Sequence, residues 1–229
     1  LVVSGDFDEV LVRETINAYF GGYPKAPEPR RPVVSEYVPM SGEVRETIND
    51  PKAQLPALFV GYRAMPQTDP DAYAADLLST IMSNGESSRL YRAIIDSQQV
   101  AVQANLSVFQ REFTGMAFYV GIAAPGKGLA DVEKSIDAEI ARVIRDGVTD
   151  EELAKAKNIT EANFVEGRTE VYEKALSLSN AYRFEKSTSA INDEMAKYMK
   201  VSKADIQRVA KRIFGTNERV VLTYLPVKG

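Results

Sequence analysis

Asn84, Gly85, Glu86, Ser87, Ser88, Arg89, Leu90 and Tyr91 bring together the side chains of this chain that look most able to do chemistry. A serine nucleophile among them would need a neighbouring general base. The chain has no histidine to act as that base and no cysteine to replace the nucleophile. Most familiar hydrolytic sites are thereby excluded from it, along with the usual zinc ligands. Carboxylates remain as oxygen ligands for calcium or magnesium, but no segment shows the alternating acidic positions and glycine of a calcium loop. No metal or other cofactor is expected in this stretch of chain. The physical reading left for residues 84–91 is a tight helix-to-helix corner. Gly85 can take the left-handed conformation that closes one helix, and Ser87 or Ser88 can accept the exposed N–H groups of the next, which carries Leu90, Ile94 and Ile95.

The elements around the corner follow from periodicity. Asp69 and Pro70 read as the start of a helix whose Ala74, Leu77, Leu78 and Ile81 share a face. Before it, Val44, Thr47 and Ile48 suggest a short half-buried strand, and Leu55 to Arg63 a second. After it, Val100, Val102, Ala104, Leu106 and Val108 alternate onto one face. Met116, Phe118, Val120 and Ile122 line a second, partly apolar face of the next strand, so the pair reads as an antiparallel hairpin. Val132, Ile136, Ile140, Val143 and Ile144 form a helical stripe closed by Gly147. Thr149 and Glu152 make a capping box for a long helical run in which Gly167 marks a kink or break. Helices over Ile191 to Tyr198 and Ala204 to Phe214 lead to a last strand, Arg219 to Leu225. The predicted class is α+β, a mostly antiparallel sheet with helices packed on one face.

Three segments follow from composition. Leu1, Val2 and Val3 read as a strand, and Asp6 or Asp8 as the cap of a helix with Val12, Ile16, Tyr19 and Phe20 on one face, stopped by Gly21 and Gly22. One strand and one helix cannot bury their apolar faces alone, so residues 1–22 read as the tail of a preceding domain. Pro24, Pro27, Pro29, Pro32 and Pro39 make residues 23–40 a semi-rigid linker, with Arg30 and Arg31 solvated. Residues 41–229 form the main domain. With 45% hydrophobic residues among 229 and a net charge of -4, the chain can bury a sizeable core and has no general affinity for nucleic acid or an anionic membrane. No apolar run approaches the roughly 20 residues that span a bilayer.

In three places the chain resembles the C-terminal, non-catalytic half of the M16 peptidases, the insulinase-like zinc metallopeptidases that include mitochondrial processing peptidase. Leu1 to Asp8 is similar to that family's apolar strand ending in Gly-Asp. Gly85, Ser87, Ser88, Arg89, Leu90 and Tyr91 are similar to its Gly-x-Ser-Ser-Arg-Leu corner, and Val148 to Lys157 to its Val-Thr-x-x-Glu-Leu-x-x-Ala-Lys helix start. The resemblance implies zinc in an upstream domain of the parent chain, on an H-x-x-E-H helix that nothing here matches. It also implies that this half is one wall of a chamber enclosing a peptide substrate and a surface for partners. Many members use an arginine, followed seven residues later by a tyrosine, to contact substrate. Those positions fall on Ile95 and Val102 here, so both polar groups are missing, and a second M16-type subunit is implied as their source. Secreted bacterial relatives make the periplasm the expected compartment. The rival readings are a structural scaffold or inactive partner subunit, like the core subunits of respiratory complex III, and a peptide-binding module that uses the sheet edge.

Overall fold

Five strands, β1 (Val44–Asp50), β2 (Ala57–Ala64), β3 (Ala101–Gln110), β4 (Gly115–Ala123) and β5 (Arg219–Pro226), pair in the order β1-β5-β2-β4-β3 in a computed structural model that describes residues 1–27, 30 and 38–227. β1 runs parallel to β5, and the other three pairings are antiparallel. The fold is α+β with a mixed, mostly antiparallel sheet.

Strand alternation sets the core. Leu58, Val60 and Tyr62 of β2, Ala104 and Leu106 of β3, Ala117, Tyr119 and Ala123 of β4, and Val221 of β5 are all buried. Helices cover this one face: α2 (Ala72–Ser83), α3 (Leu129–Asp146) and α7 (Lys203–Phe214). Their apolar stripes recur at helical spacing, with Leu77, Leu78 and Ile81 on α2, Val132, Ile136, Ile140 and Val143 on α3, and Ile206, Val209 and Ile213 on α7. Each such side chain contributes about 1.5–3 kcal/mol when taken out of water. At Gly121 of β4 the helix comes so close that a Cβ there would lie 2.4 Å from Val132 Cγ1.

Caps fix the helix boundaries. The Ser202 side chain accepts from Asp205 N, and the Asp205 carboxylate accepts from Ser202 N, at the start of α7. Thr149 and Glu152 make the same reciprocal pair at α4 (Asp150–Gly167). At α2 the boundary differs from the sequence reading. Asp69 accepts from the backbone of Asp71 in a turn of its own, and the helix begins at Ala72.

The structure departs from the sequence pattern in three further places. Leu1 to Val3 forms no strand, because no partner strand lies beside it among the described residues. Ile94 and Ile95 lie in a π-helical turn, Tyr91–Ser97, rather than an α-helix. Val102 does not share a face with Ala104 and Leu106. The β3–β4 register slips between Ala101 and Gln103, and this bulge reverses the alternation, leaving Ala101 buried and Val102 49% exposed. Half of the expected linker, residues 28–29 and 31–37, lies outside the described residues.

The two sheet edges are finished differently. On β3, the outward N–H groups of Leu106 and Val108 donate to the Ser83 and Ser79 hydroxyls of α2. The outer row of β1 from Val44 to Asn49 accepts or donates no hydrogen bond among the described residues.

The chain divides into two compact units, one of Leu1–Tyr37 with Val165–Ile191 and one of Val38–Phe164 with Asn192–Gly229. The second holds the sheet and the core. The first contains α1 (Glu9–Phe20), capped by the Asp8 carboxylate on Val10 N and Leu11 N, and α5 (Val171–Glu185); neither helix has a buried residue. α6 (Glu194–Lys200), in the second unit, joins the core through Tyr198, whose hydroxyl donates to Asp76 at 2.8 Å and whose ring meets Tyr73 edge-on at 4.9 Å.

Candidate functional site

The corner at residues 84–91 is built as a joint. Gly85 takes φ +76°, Ser88 N donates to Gly85 O at 3.1 Å, and the Ser88 carbonyl accepts from Arg92 N at 3.1 Å. Leu90 is buried in the core, whereas Tyr91 is only half-buried. Arg89 grips Glu152 with two guanidinium nitrogens, at 2.6 and 2.7 Å, and the second also donates to the Gly147 carbonyl at 3.1 Å. One side chain therefore satisfies the C-terminus of α3 and steadies the capping box of α4. Burial pushes the Glu152 carboxyl upward, but the Arg89 hydrogen bonds and the Thr149 amide outweigh it and hold the group below its ordinary value. Lys155 Nζ donates to the Ser87 hydroxyl. Ser88 Oγ is buried without a hydrogen-bond partner among the described residues.

Beside the joint, a polar depression of about 380 Å³ is lined by Arg89, Arg92, Glu139, Arg142, Asp146 and Glu152. Three guanidinium groups face three carboxylates, and Arg142 pairs with the buried Glu139 at 2.8 Å. The charges cancel locally, so the depression offers no field to draw in an ionic substrate. The positions aligned with the family's substrate contacts differ from one another. Ile95 is partly buried against the core, while Val102 stands out at the bulge.

A second ionic cluster lies at one end of the covered face. Arg219 donates to Glu43 at 2.6 Å, Glu133 at 2.8 Å, Asp137 at 2.9 Å and Tyr62 Oη at 3.1 Å, and Tyr119 Oη donates to Asp137 at 2.8 Å. Burial pushes the Tyr119 phenol up and the Asp137 charge adds to the effect, so the phenol stays protonated and is a donor rather than a base. The cluster ties β5 to β2 and α3.

The opposite face of the sheet is apolar and carries no helix of its own unit among the described residues. A groove of about 640 Å³ runs over it, lined by Met40, Phe59, Gly61, Met116, Phe118, Val220 and Leu222, with Arg63 and Glu218 at its rim. Phe59 meets Tyr224 edge-on at 5.3 Å, and Phe118 stacks on Phe109 at 5.4 Å. At Gly61 nothing lies within 4 Å of where a Cβ would be, so the missing side chain opens the floor of the groove. Such a surface can hold apolar side chains of a polypeptide. Sequence reading singles out the corner rather than this face. The available signal is the strand pattern, since Phe118 and Met116 alternate with Ala117 and Tyr119 and leave both faces of β4 apolar.

Residues 1–160 match the Peptidase M16 inactive domain, and the chain belongs to that family. It is 21% identical to the zinc protease PqqE of Helicobacter pylori, over 99% of this chain and 51% of that protein. It thus spans about half the length of the curated relative it matches. Among solved structures, a protease from Helicobacter pylori superposes with a TM-score of 0.86 at 20% identity, over 97% of this chain and 54% of the other. The periplasmic protease PqqL from Escherichia coli superposes with a TM-score of 0.76 at 11% identity, over 97% and 25%. At these identities the structures establish the fold. Zinc, which the relative's name carries, does not fit the residues here. The sequence has neither histidine nor cysteine, and no group of three or more acidic residues among those described could hold a metal ion.

Proposed function

We propose that this chain is the non-catalytic C-terminal part of an M16-type zinc metalloendopeptidase, and that its open sheet face forms a wall of the chamber that holds the peptide substrate. The observation that carries the reading is the 640 Å³ groove, an apolar surface left uncovered on a sheet whose other face is fully packed. A monomeric domain gains nothing from such exposure, and a surface of this kind marks a place where another polypeptide sits. In this reading the zinc and its general base lie in an upstream domain of the parent chain, residues 1–22 are the end of that domain, residues 23–40 the linker, and 41–229 the inactive domain. Ile95 and Val102 stand where relatives place an arginine and a tyrosine, so the polar substrate contacts come from a second M16-type subunit. A cell-envelope location is supported by the periplasmic PqqL.

The test is binding of an unstructured apolar peptide to this chain and to Phe118→Asp, followed by fluorescence anisotropy. A carboxylate on the floor of the groove should weaken binding at least tenfold, measured well below the melting temperature of both proteins. Equal affinity for both proteins would remove the groove from the reading. The parent chain alone, loaded with zinc, should hydrolyse peptide only when the second subunit is added; full activity without it would defeat the divided-labour part.

A further inference from the structure

β1 is an edge strand without the protection given to its counterpart. β3 has its outward amides occupied by Ser79 and Ser83, whereas all but the last residue of β1 is exposed and its outer row is unbonded among the described residues. An open edge of this length is a template for another strand. The register with β5 decides which side chains such a strand would meet. Val44, Glu46 and Ile48 pair with Val220, Leu222 and Tyr224, so they belong to the open face, while Arg45, opposite the buried Val221, turns to the helix side and bonds Glu133. Val44 and Ile48 are exposed apolar side chains, and between them Glu46 makes no hydrogen bond or ion pair among the described residues. The edge therefore displays the series apolar, negative, apolar at two-residue spacing.

A second copy of β1 is a poor occupant. Paired antiparallel about a two-fold axis, opposed residues must share a face. Centring the pair on Glu46 opposes two carboxylates, and centring it on Ile48 sets Glu46 against Asp50. Centring it on Thr47 places Glu46 on Ile48 and Val44 on Asp50. Every substantial register meets a like charge or a charge on an apolar side chain.

We propose that β1 accepts an extended segment of a different polypeptide as an added strand, and that Glu46 selects a segment whose lysine or arginine is flanked at two-residue spacing by apolar side chains. Main-chain hydrogen bonds would supply most of the affinity, and the alternate side chains the selectivity. This site lies at the edge of the sheet and does not depend on the groove being a chamber wall.

The experiment uses the whole 229-residue chain and the labelled peptide Thr-Val-Thr-Lys-Thr-Val-Thr, whose order reads the same in both directions. Binding should protect the amides of residues 44–50 from hydrogen exchange. Glu46→Lys, an exposed and conservatively sized change, should weaken this peptide by about threefold to tenfold and strengthen the version with glutamate at the centre. Phe118→Asp should leave both affinities unchanged. Equal affinity of wild type and Glu46→Lys, or protection confined to β2 and β4 with loss of binding in Phe118→Asp, would overturn the proposal and assign the peptide to the groove. Dimerisation of the free chain that the peptide cannot compete away, with β1 amides protected in the dimer, would also overturn it.

Discussion

Leu58 and Phe59 are neighbours in β2, yet Leu58 is 1% exposed beneath the helices and Phe59 is 37% exposed on the open face. The same contrast runs through β4, where Tyr119 is buried and Met116 is 51% exposed. Both faces are apolar, but only one has elements with matching stripes to cover it. The covered face holds the domain together, whereas the open face adds little to stability and is free to bind. In the proposed reading, one sheet thereby separates folding on the covered face from recognition on the open one.

The largest effect should come from cutting into the covered face. Leu106→Ala leaves a cavity under α2 and should cost about 2–5 kcal/mol in chemical denaturation. A loss below 1 kcal/mol would mean that the site collapses and that the covered face is looser than its burial indicates.

Next is the charge at the edge of the covered face. Burial pushes the Asp76 carboxyl up to about 6, the Tyr198 hydroxyl opposes this, and the Glu194 charge adds to it. A carboxyl whose folded value is raised favours folding in its protonated form. Its contribution is fully present below the unfolded value near 3.8 and is lost as pH rises through about 6. Asp76→Asn keeps an acceptor for Tyr198 without the charge. It should be close to wild type at pH 4 and more stable by up to about 3 kcal/mol at pH 7, because each tenfold change in proton affinity on folding is worth about 1.4 kcal/mol. A variant less stable than wild type at pH 7 would show that the ionised carboxylate is a net asset to α6.

The finest test compares two glycines. Gly121→Ala drives a methyl into Val132 and Ile136 and should cost about 1–3 kcal/mol, whereas Gly61→Ala meets open space and should stabilise by up to about 1 kcal/mol. Similar costs at both positions would erase the distinction between the faces. Gly61→Ala should at the same time weaken peptide binding, because it raises the floor of the groove.

Much of the covered face is legible in the residues alone. Helical stripes such as Val132, Ile136, Ile140 and Val143 are local patterns that only a helix can place on one face, and all four are buried. The Thr149–Glu152 cap needs only a three-residue separation. The corner motif at Gly85 is visible for the same reason. Arg89 reads as a corner arginine, but its partner Glu152 lies 63 residues away, and no local pattern states that pairing. The bulge that turns Val102 outward is equally hidden, because the alternation of Val100, Val102 and Ala104 continues unbroken on paper.

Composition and short-range periodicity follow from residue type alone, and they suffice for the class of fold, the positions of most helices and strands, and the exclusion of histidine and cysteine chemistry. They leave open which apolar face the helices cover, which sheet edge α2 caps, and where Arg89 and Arg219 find their carboxylates. Those outcomes depend on strand order and register, which bring together groups as far apart as Glu43 and Arg219, and packing in three dimensions sets them rather than any spacing along the chain.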